Sequence, residues 1–249
     1  MSSLWFEPQW PAPGGVRVLS TLRGETGGGG ASKSPYACFN LGDHVGDDPL
    51  AVAENRRMLR REAGLPAEPS WLAQVHGVSV ADLDARAPEA AADAAMTRCP
   101  GKVCVILTAD CLPIVFATDT GDTVAAAHAG WRGLAAGVIG ATVRAMAAQP
   151  ERLIAWLGPA IGLEHFEVGE EVREAFLKGD PGARDAFKAN ARGRFQADLA
   201  MLARRQLEDL GVNRIYGGGE CTYARADRYF SHRRDGITGR QATLAWREA

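Results

Sequence analysis

The stretch VCVILTADCLPIVFATDTGDTVAAAHA, residues 103–129, decides how the rest of this chain is read. It holds three apolar runs, Val103–Leu107, Pro113–Ala117 and Thr123–Ala127, with the turn Asp119-Thr120-Gly121-Asp122 between the last two. Each run is short, apolar and bounded by turn formers, which predicts a strand. None alternates with polar residues, so the expectation is a central sheet covered on both faces.

The flanking sequence supplies the covering helices. Toward the N-terminus, Val16–Leu22 reads as a strand, and Asp47-Asp48-Pro49 opens a helix that Gly64 can close. That helix carries Arg56, Arg57, Arg60 and Arg61 on a face read as solvated. Trp71–Val80 reads as extended, interrupted by Gly77, and the Ala-rich, acidic Ala85–Ala95 as a loop or short helix. Toward the C-terminus, Leu134, Val138, Ala141, Thr142, Ala145 and Met146 recur at helical spacing and stop before Pro150. Leu153–Leu157 and Arg214–Tyr216 read as strands, and Glu170–Phe176 and Leu199–Leu210 as helices. There is no internal repeat and no linker, so 1–249 is read as a single mixed α/β domain.

Composition narrows the function classes. With 249 residues and 46% hydrophobic content, the chain can bury a sizeable core. A net charge of -2 without a basic block gives no expectation of nucleic-acid binding. No run spans a bilayer, and the first eight residues lack a signal-peptide pattern, so a cytoplasmic, membrane-free protein is expected. Five cysteines without a C-x-x-C pair read as reduced thiols, with Cys38, Cys99 and Cys104 as packing residues.

Three segments stand out against the apolar background: Gln74-Val75-His76-Gly77, Thr108-Ala109-Asp110-Cys111-Leu112-Pro113 and Ala127-His128-Ala129-Gly130-Trp131-Arg132-Gly133. Each puts a metal-capable side chain at the end of an apolar run beside Gly or Pro, where a backbone can approach a ligand. Two imidazoles and one thiolate suit a catalytic zinc with one open position. The same residues also suit a Cys111–His128 thiol hydrolase pair, or the equatorial set of a blue-copper centre. Only five histidines are present, too few for a multicopper cluster within one chain. Taken singly, a Cys in an apolar strand is a core residue and a His beside Gly a turn residue, and the pattern alone leaves that reading open.

Two further motifs bear on anion binding. Gly27–Ser34 nearly matches a phosphate-binding loop, but Ser32 replaces its second Gly, and Pro35 keeps Ser34 from starting the required helix. A surface loop is expected there instead. The stretch Phe230–Gly236 sets Arg233 and Arg234 beside Gly, which suits either an anion or a solvated turn.

Taken together, these segments resemble the YfiH-type laccase-domain family, also called peptidoglycan editing factor. The resemblance runs through PYACFNLGDHVGDD (Pro35–Asp48), WLAQVHG (Trp71–Gly77), TADCLPI (Thr108–Ile114), AHAGWRGL (Ala127–Leu134), AWLGPAIG (Ala155–Gly162), FEVGEEV (Phe166–Val172) and FSHRRDGITGR (Phe230–Arg240), with Cys221-Thr222 at a Cys-Thr pair of the pattern. It implies an α/β fold of mixed sheets sandwiched by helices, loosely like a cysteine hydrolase. It also implies zinc held by His76, Cys111 and His128. The implied activity is phosphorolysis of purine nucleosides, with adenosine deamination beside it. Older descriptions of the family as a copper polyphenol oxidase keep copper as the alternative metal. On that reading His76, Cys111, His128 and Asp110 are catalytic. Arg132, Arg234, Asn40 and Gln74 contact nucleoside or phosphate, with Asp110 either an acid or the residue that orients an imidazole. The expected state is monomer or homodimer. His232 stands where the family usually has Tyr, and the glycine run is longer than the family's turn.

Overall fold

The computed structural model describes residues 4–24, 29–87 and 91–248. Gly27 and Gly28 of the glycine run, residues 88–90 of the acidic segment, and the chain ends lie outside these ranges.

Two large sheets pack face to face. The first has the order β1 (Trp5–Phe6), β2 (Val16–Thr21), β13 (Gln241–Arg247), β5 (Val103–Thr108), antiparallel throughout. The second has the order β12 (Arg214–Gly217), β8 (Leu153–Leu157), β6 (Leu112–Thr118), β7 (Val124–Ala129), β4 (Ala94–Thr97), β3 (Val80–Asp82). It is mixed: β12 with β8 and β3 with β4 are parallel, and the other pairs antiparallel. A third, small antiparallel sheet joins β10 (Phe187–Ala189), β11 (Phe195–Ala197) and β9 (Glu167–Val168).

Side-chain parity builds the layers. On β5, Val103, Val105 and Leu107 pack toward Leu59 of α1 (Pro49–Glu62), while Cys104 and Ile106 meet Ala95 and Ala126 of the second sheet. On β6, Val115 and Ala117 meet Val16, Val18 and Ala245 of the first sheet. Its Ile114 and Phe116 face Leu134 of α2 (Trp131–Ala136), Val138 and Ile139 of α3 (Val138–Met146) and Leu207 of α5 (Leu199–Asp209). The result is helix, sheet, sheet, helices, with both sheets buried on both faces. That explains the unbroken apolar runs.

Several expectations are corrected here. The three runs do not share a sheet: β5 lies in the first, and β6 and β7 in the second. Asp110, at a φ of 90°, turns the chain between them, so Cys111 sits where the path crosses from one sheet to the other. The helix read from Leu134 onward is also two helices, broken at Gly137, which adopts the left-handed conformation at a φ of 95°. Trp71–Val80 is mostly irregular, with strand beginning only at Val80. The acidic segment, read as a loop or short helix, ends in β4. Cys38 and Cys104 are buried as expected, but Cys99 is exposed. Arg56 is not merely solvated: its guanidinium donates to the Leu41 carbonyl and stacks on Trp71. The Asp48 cap and Pro49 start of α1 stand as read.

Candidate functional site

Three elements deliver the donors. Cys111 immediately precedes β6, and His128 lies near the end of β7, paired in register with Pro113. His76 comes from the irregular segment before β3 and holds a left-handed backbone at a φ of 59°. The ligand atoms of His76, Cys111 and His128 lie within 4.8 Å of one another. The two imidazole rings meet edge to face, 4.7 Å apart. His128 is buried, Cys111 half-buried and His76 exposed, so the cluster opens to solvent on the His76 side.

Asp93, just before β4, ties these segments together. Its carboxylate, fully buried, lies 2.8 Å from His128 Nδ1 and accepts the backbone N–H groups of Val75, His76 and Gly77. Burial pushes the Asp93 carboxyl upward, but the His128 hydrogen bond and the N–H groups of Gly77 and Val75 outweigh it and hold it below the usual range. Burial opposes the charged form of His128, yet the negative Cys111 and Asp93 beside it raise it to about 9. His76 is lowered, by burial first and by His128 second. The hydrogen bond from Nδ1 to Asp93 leaves Nε2 as the His128 nitrogen free to ligate, where an ion would take the place of its proton.

The donor set fits one ion. Two His and one Cys are zinc ligands with a fourth position free. With Asp93 accepting from Nδ1, His128 directs the lone pair of Nε2 elsewhere. Gly130 leaves space at the cluster: a Cβ there would sit 2.9 Å from His76 Nδ1 and 3.0 Å from Cys111 Sγ. Any larger residue would press on two of the three donors.

The cluster faces a cleft of about 500 Å³. Asp110, Arg132, Phe166, Glu171, His232 and Arg233 line it with His76 and Cys111. Arg132 stacks on Trp131, its guanidinium carbon 4.5 Å from the ring centroid, and makes no hydrogen bond or ion pair with the described residues. Asp110 borders the cleft, but its oxygens accept from Thr222 Oγ1 and the Arg233 N–H, so it orients neither imidazole. His232 lies 2.7 Å through Nδ1 from the Gly236 carbonyl and stands apart from the metal-capable cluster.

Three residues expected to contact substrate are engaged within the protein. Arg234 is absent from the cleft lining; its guanidinium donates to the carbonyls of Thr222, Tyr223 and Tyr229 and pairs with Asp235. Asn40 is fully buried, bonded to Gly42, Asp47 and the Arg240 N–H. Gln74 exchanges two hydrogen bonds with the Leu107 backbone. All three hold loops in shape. Asp93 was missed, since it sits in an acidic stretch read as a loop or short helix, and no local pattern marks a carboxylate whose partners lie 16–35 residues away. Cys221 accepts from the Gly162 and Ala224 N–H groups, away from the cluster.

Known proteins resemble the chain over nearly its whole length. The family described as multi-copper polyphenol oxidoreductase laccase matches residues 23–248. A purine nucleoside phosphorylase of Pseudomonas aeruginosa is 50% identical over 97% of this chain and 98% of its own. The Escherichia coli purine nucleoside phosphorylase YfiH is 49% identical over 96% of this chain and 97% of its own. A crystal structure of a Neisseria meningitidis protein superposes with a TM-score of 0.92 at 43% identity, covering 99% of this chain and all of that one. With that breadth of match, the chain belongs to the multi-copper polyphenol oxidoreductase laccase family and is YfiH-like over nearly its whole length.

Proposed function

We propose that the chain is a zinc-dependent purine nucleoside phosphorylase. It converts adenosine, inosine, guanosine or methylthioadenosine with phosphate to the free base and ribose 1-phosphate, with adenosine deamination as a side activity. The observation that carries this is the open face of the His76–Cys111–His128 cluster on a cleft that also holds the unengaged Arg132 guanidinium. Relatives of 49–50% identity that are named for this activity support it.

The reaction breaks the bond from C1′ to the purine nitrogen and forms one from C1′ to a phosphate oxygen, while the departing base takes a proton. Zinc held by His76, Cys111 and His128 would supply a Lewis acid with an open position. Arg132 neutralises the phosphate and holds it against the sugar, a bidentate match of guanidinium to oxyanion. The Glu171 carboxylate offers hydrogen bonding to nucleoside, and Arg233, lying over the Phe166 ring, lines the same cleft. Asp110, through Thr222 and Arg233, fixes the wall of the cleft on which Arg233 and His232 sit. No helix among the described residues is long and apolar enough to cross a membrane, and we place the enzyme in the cytoplasm, as monomer or homodimer, acting on small molecules.

Two observations bear on other readings. Copper would find the same three donors, but the remaining histidines stand apart: His44 beside Asp43, His165 stacked on Tyr223, His232 on its own turn. A multicopper cluster has no second nucleus among the described residues. In space, Asp93, His128 and Cys111 also form a carboxylate–imidazole–thiol relay like that of a thiol hydrolase, which favours a metal-free amidase as the second reading. Purified protein incubated with adenosine and phosphate tests all three. Phosphorolysis gives adenine and ribose 1-phosphate, with about one zinc per chain by elemental analysis. A blue protein points to copper. No nucleoside turnover at any phosphate concentration, with alkylation-sensitive and chelator-insensitive amide hydrolysis, overturns the proposal in favour of the amidase.

A further inference from the structure

We infer that Asp93 is the positioning residue of the centre: one carboxylate that sets both the ring orientation of His128 and the backbone carrying His76. The inference rests on the metal reading of the cluster.

The bonds divide by oxygen. Oδ1 lies 2.8 Å from His128 Nδ1 and 2.9 Å from the His76 backbone nitrogen. Oδ2 lies 3.1 Å from the Val75 nitrogen and 2.6 Å from the Gly77 nitrogen. An ionised carboxylate offers about four lone-pair sites, and here all are filled by donors from two separate segments. The main chain adds a fifth tie, the His128 N–H to the Asp93 carbonyl at 2.6 Å. That bond continues the β4–β7 pairing past Ala94 and Ala127, so Asp93 lies across from the histidine it orients.

Each half of this arrangement has a consequence at the cluster. An acceptor at Nδ1 keeps the proton there and leaves Nε2 of His128 with its lone pair, the tautomer a metal ligand requires. Three convergent N–H bonds hold the segment from Val75 to Gly77 closed around the carboxylate, which fixes the left-handed backbone of His76. For a side chain with a Cβ that conformation is unfavourable and persists only when its surroundings impose it.

An asparagine has nearly the same shape but only one acceptor oxygen. In either amide orientation its NH₂ faces two donors, either the pair from Val75 and Gly77 or the pair from His76 and His128. The first loosens the His76 segment, and the second drives His128 toward the tautomer with its proton on Nε2. A role confined to general stability would lower the melting temperature without changing how the folded protein holds an ion.

The test measures metal binding directly. Asp93→Asn, Asp93→Glu and a remote core variant, Val143→Ala in α3, are compared with the parent by chelator competition for zinc and by the visible absorption of the cobalt(II)-substituted proteins. Asp93→Asn is expected to weaken zinc about 10- to 100-fold and to change the thiolate and ligand-field bands of cobalt. Asp93→Glu, which keeps the charge but displaces the carboxylate by one methylene, is expected to bind zinc with an altered cobalt spectrum even if the asparagine variant fails to fold. Val143→Ala should lose stability and keep both parental readouts. Parental zinc affinity and an unchanged cobalt spectrum in the Asp93 variants overturn the inference alone. A parent that binds neither ion overturns it together with the metal reading.

Discussion

Gln74 and Leu107 exchange two hydrogen bonds of 2.8 Å, the Leu107 N–H to Oε1 and Nε2–H to the Leu107 carbonyl. A side-chain amide thereby imitates one rung of a strand and closes the end of β5 two residues before His76. It explains why a glutamine beside a metal-capable histidine need not touch substrate.

Gln74→Ala should therefore lower stability and leave nucleoside KM within a few-fold of the parent. Two backbone groups at a partly buried strand end lose their partner, at a cost of about 1–3 kcal/mol. Thermal unfolding beside steady-state kinetics checks this; a large rise in nucleoside KM at unchanged melting temperature would return Gln74 to the substrate.

Acid stability should depend on Asp84, far from the site in the turn after β3. Burial pushes its carboxyl up, but the Arg98 N–H, the Thr97 hydroxyl and Lys102 outweigh burial and hold it at about 2. A folded-state value below the unfolded one adds stability that is present above the ordinary carboxylate range and lost as pH falls toward about 2. The parent should thus exceed Asp84→Asn in stability at neutral pH, with the gap narrowing between pH ~4 and ~2. A gap that stays constant across that range would mean that shape, not charge, is what Asp84 supplies.

Much of this was legible along the chain because it is local. The strands β6, β7 and β8 follow from unbroken apolar runs, and α1 from Asp48-Pro49. The donors were legible because His and Cys are conspicuous at the ends of such runs. What was not legible is non-local. Strand β13 has buried polar residues, Gln241 and Thr243, whose partners are Phe230 and Ser20, so no periodic pattern marks it as a central strand. The assignment of β5 to a different sheet from β6 depends on the backbone of one residue, Asp110. The partners of Asp93 and Arg234 were hidden for the same reason: what a carboxylate or guanidinium bonds to in the fold is not revealed by sequence spacing.

His76→Ala, Cys111→Ala and His128→Ala should each abolish phosphorolysis and release the ion, and any pair should be no worse than one alone. The three donors surround one position, so loss of any of them removes geometry as well as affinity. The measurement is turnover together with metal content for singles and doubles. Stepwise, additive losses with zinc retained would show that the residues act separately.

The phosphate should be held by Arg132 and not by Arg234. Both are arginines in family-like stretches, but their surroundings differ. Arg234 donates to three carbonyls and pairs with Asp235, so its charge is already answered and its donors are engaged. Arg132 borders the cleft over Trp131 with its donors unengaged by the described residues. A charge-assisted hydrogen bond to an anion is worth about 1.5–3 kcal/mol, so Arg132→Ala should raise the phosphate KM by roughly 10- to 100-fold with zinc still bound. Arg234→Ala leaves three carbonyls without this donor and Asp235 with only Arg23 and Thr238; it should lower the melting temperature and leave the phosphate KM close to the parent's. Phosphate titrations of both variants at fixed adenosine separate the two roles. An unchanged phosphate dependence in Arg132→Ala beside a raised one in Arg234→Ala would mean that the anion enters from the far side of α6 (His232–Asp235), displacing contacts that the folded chain now makes with itself.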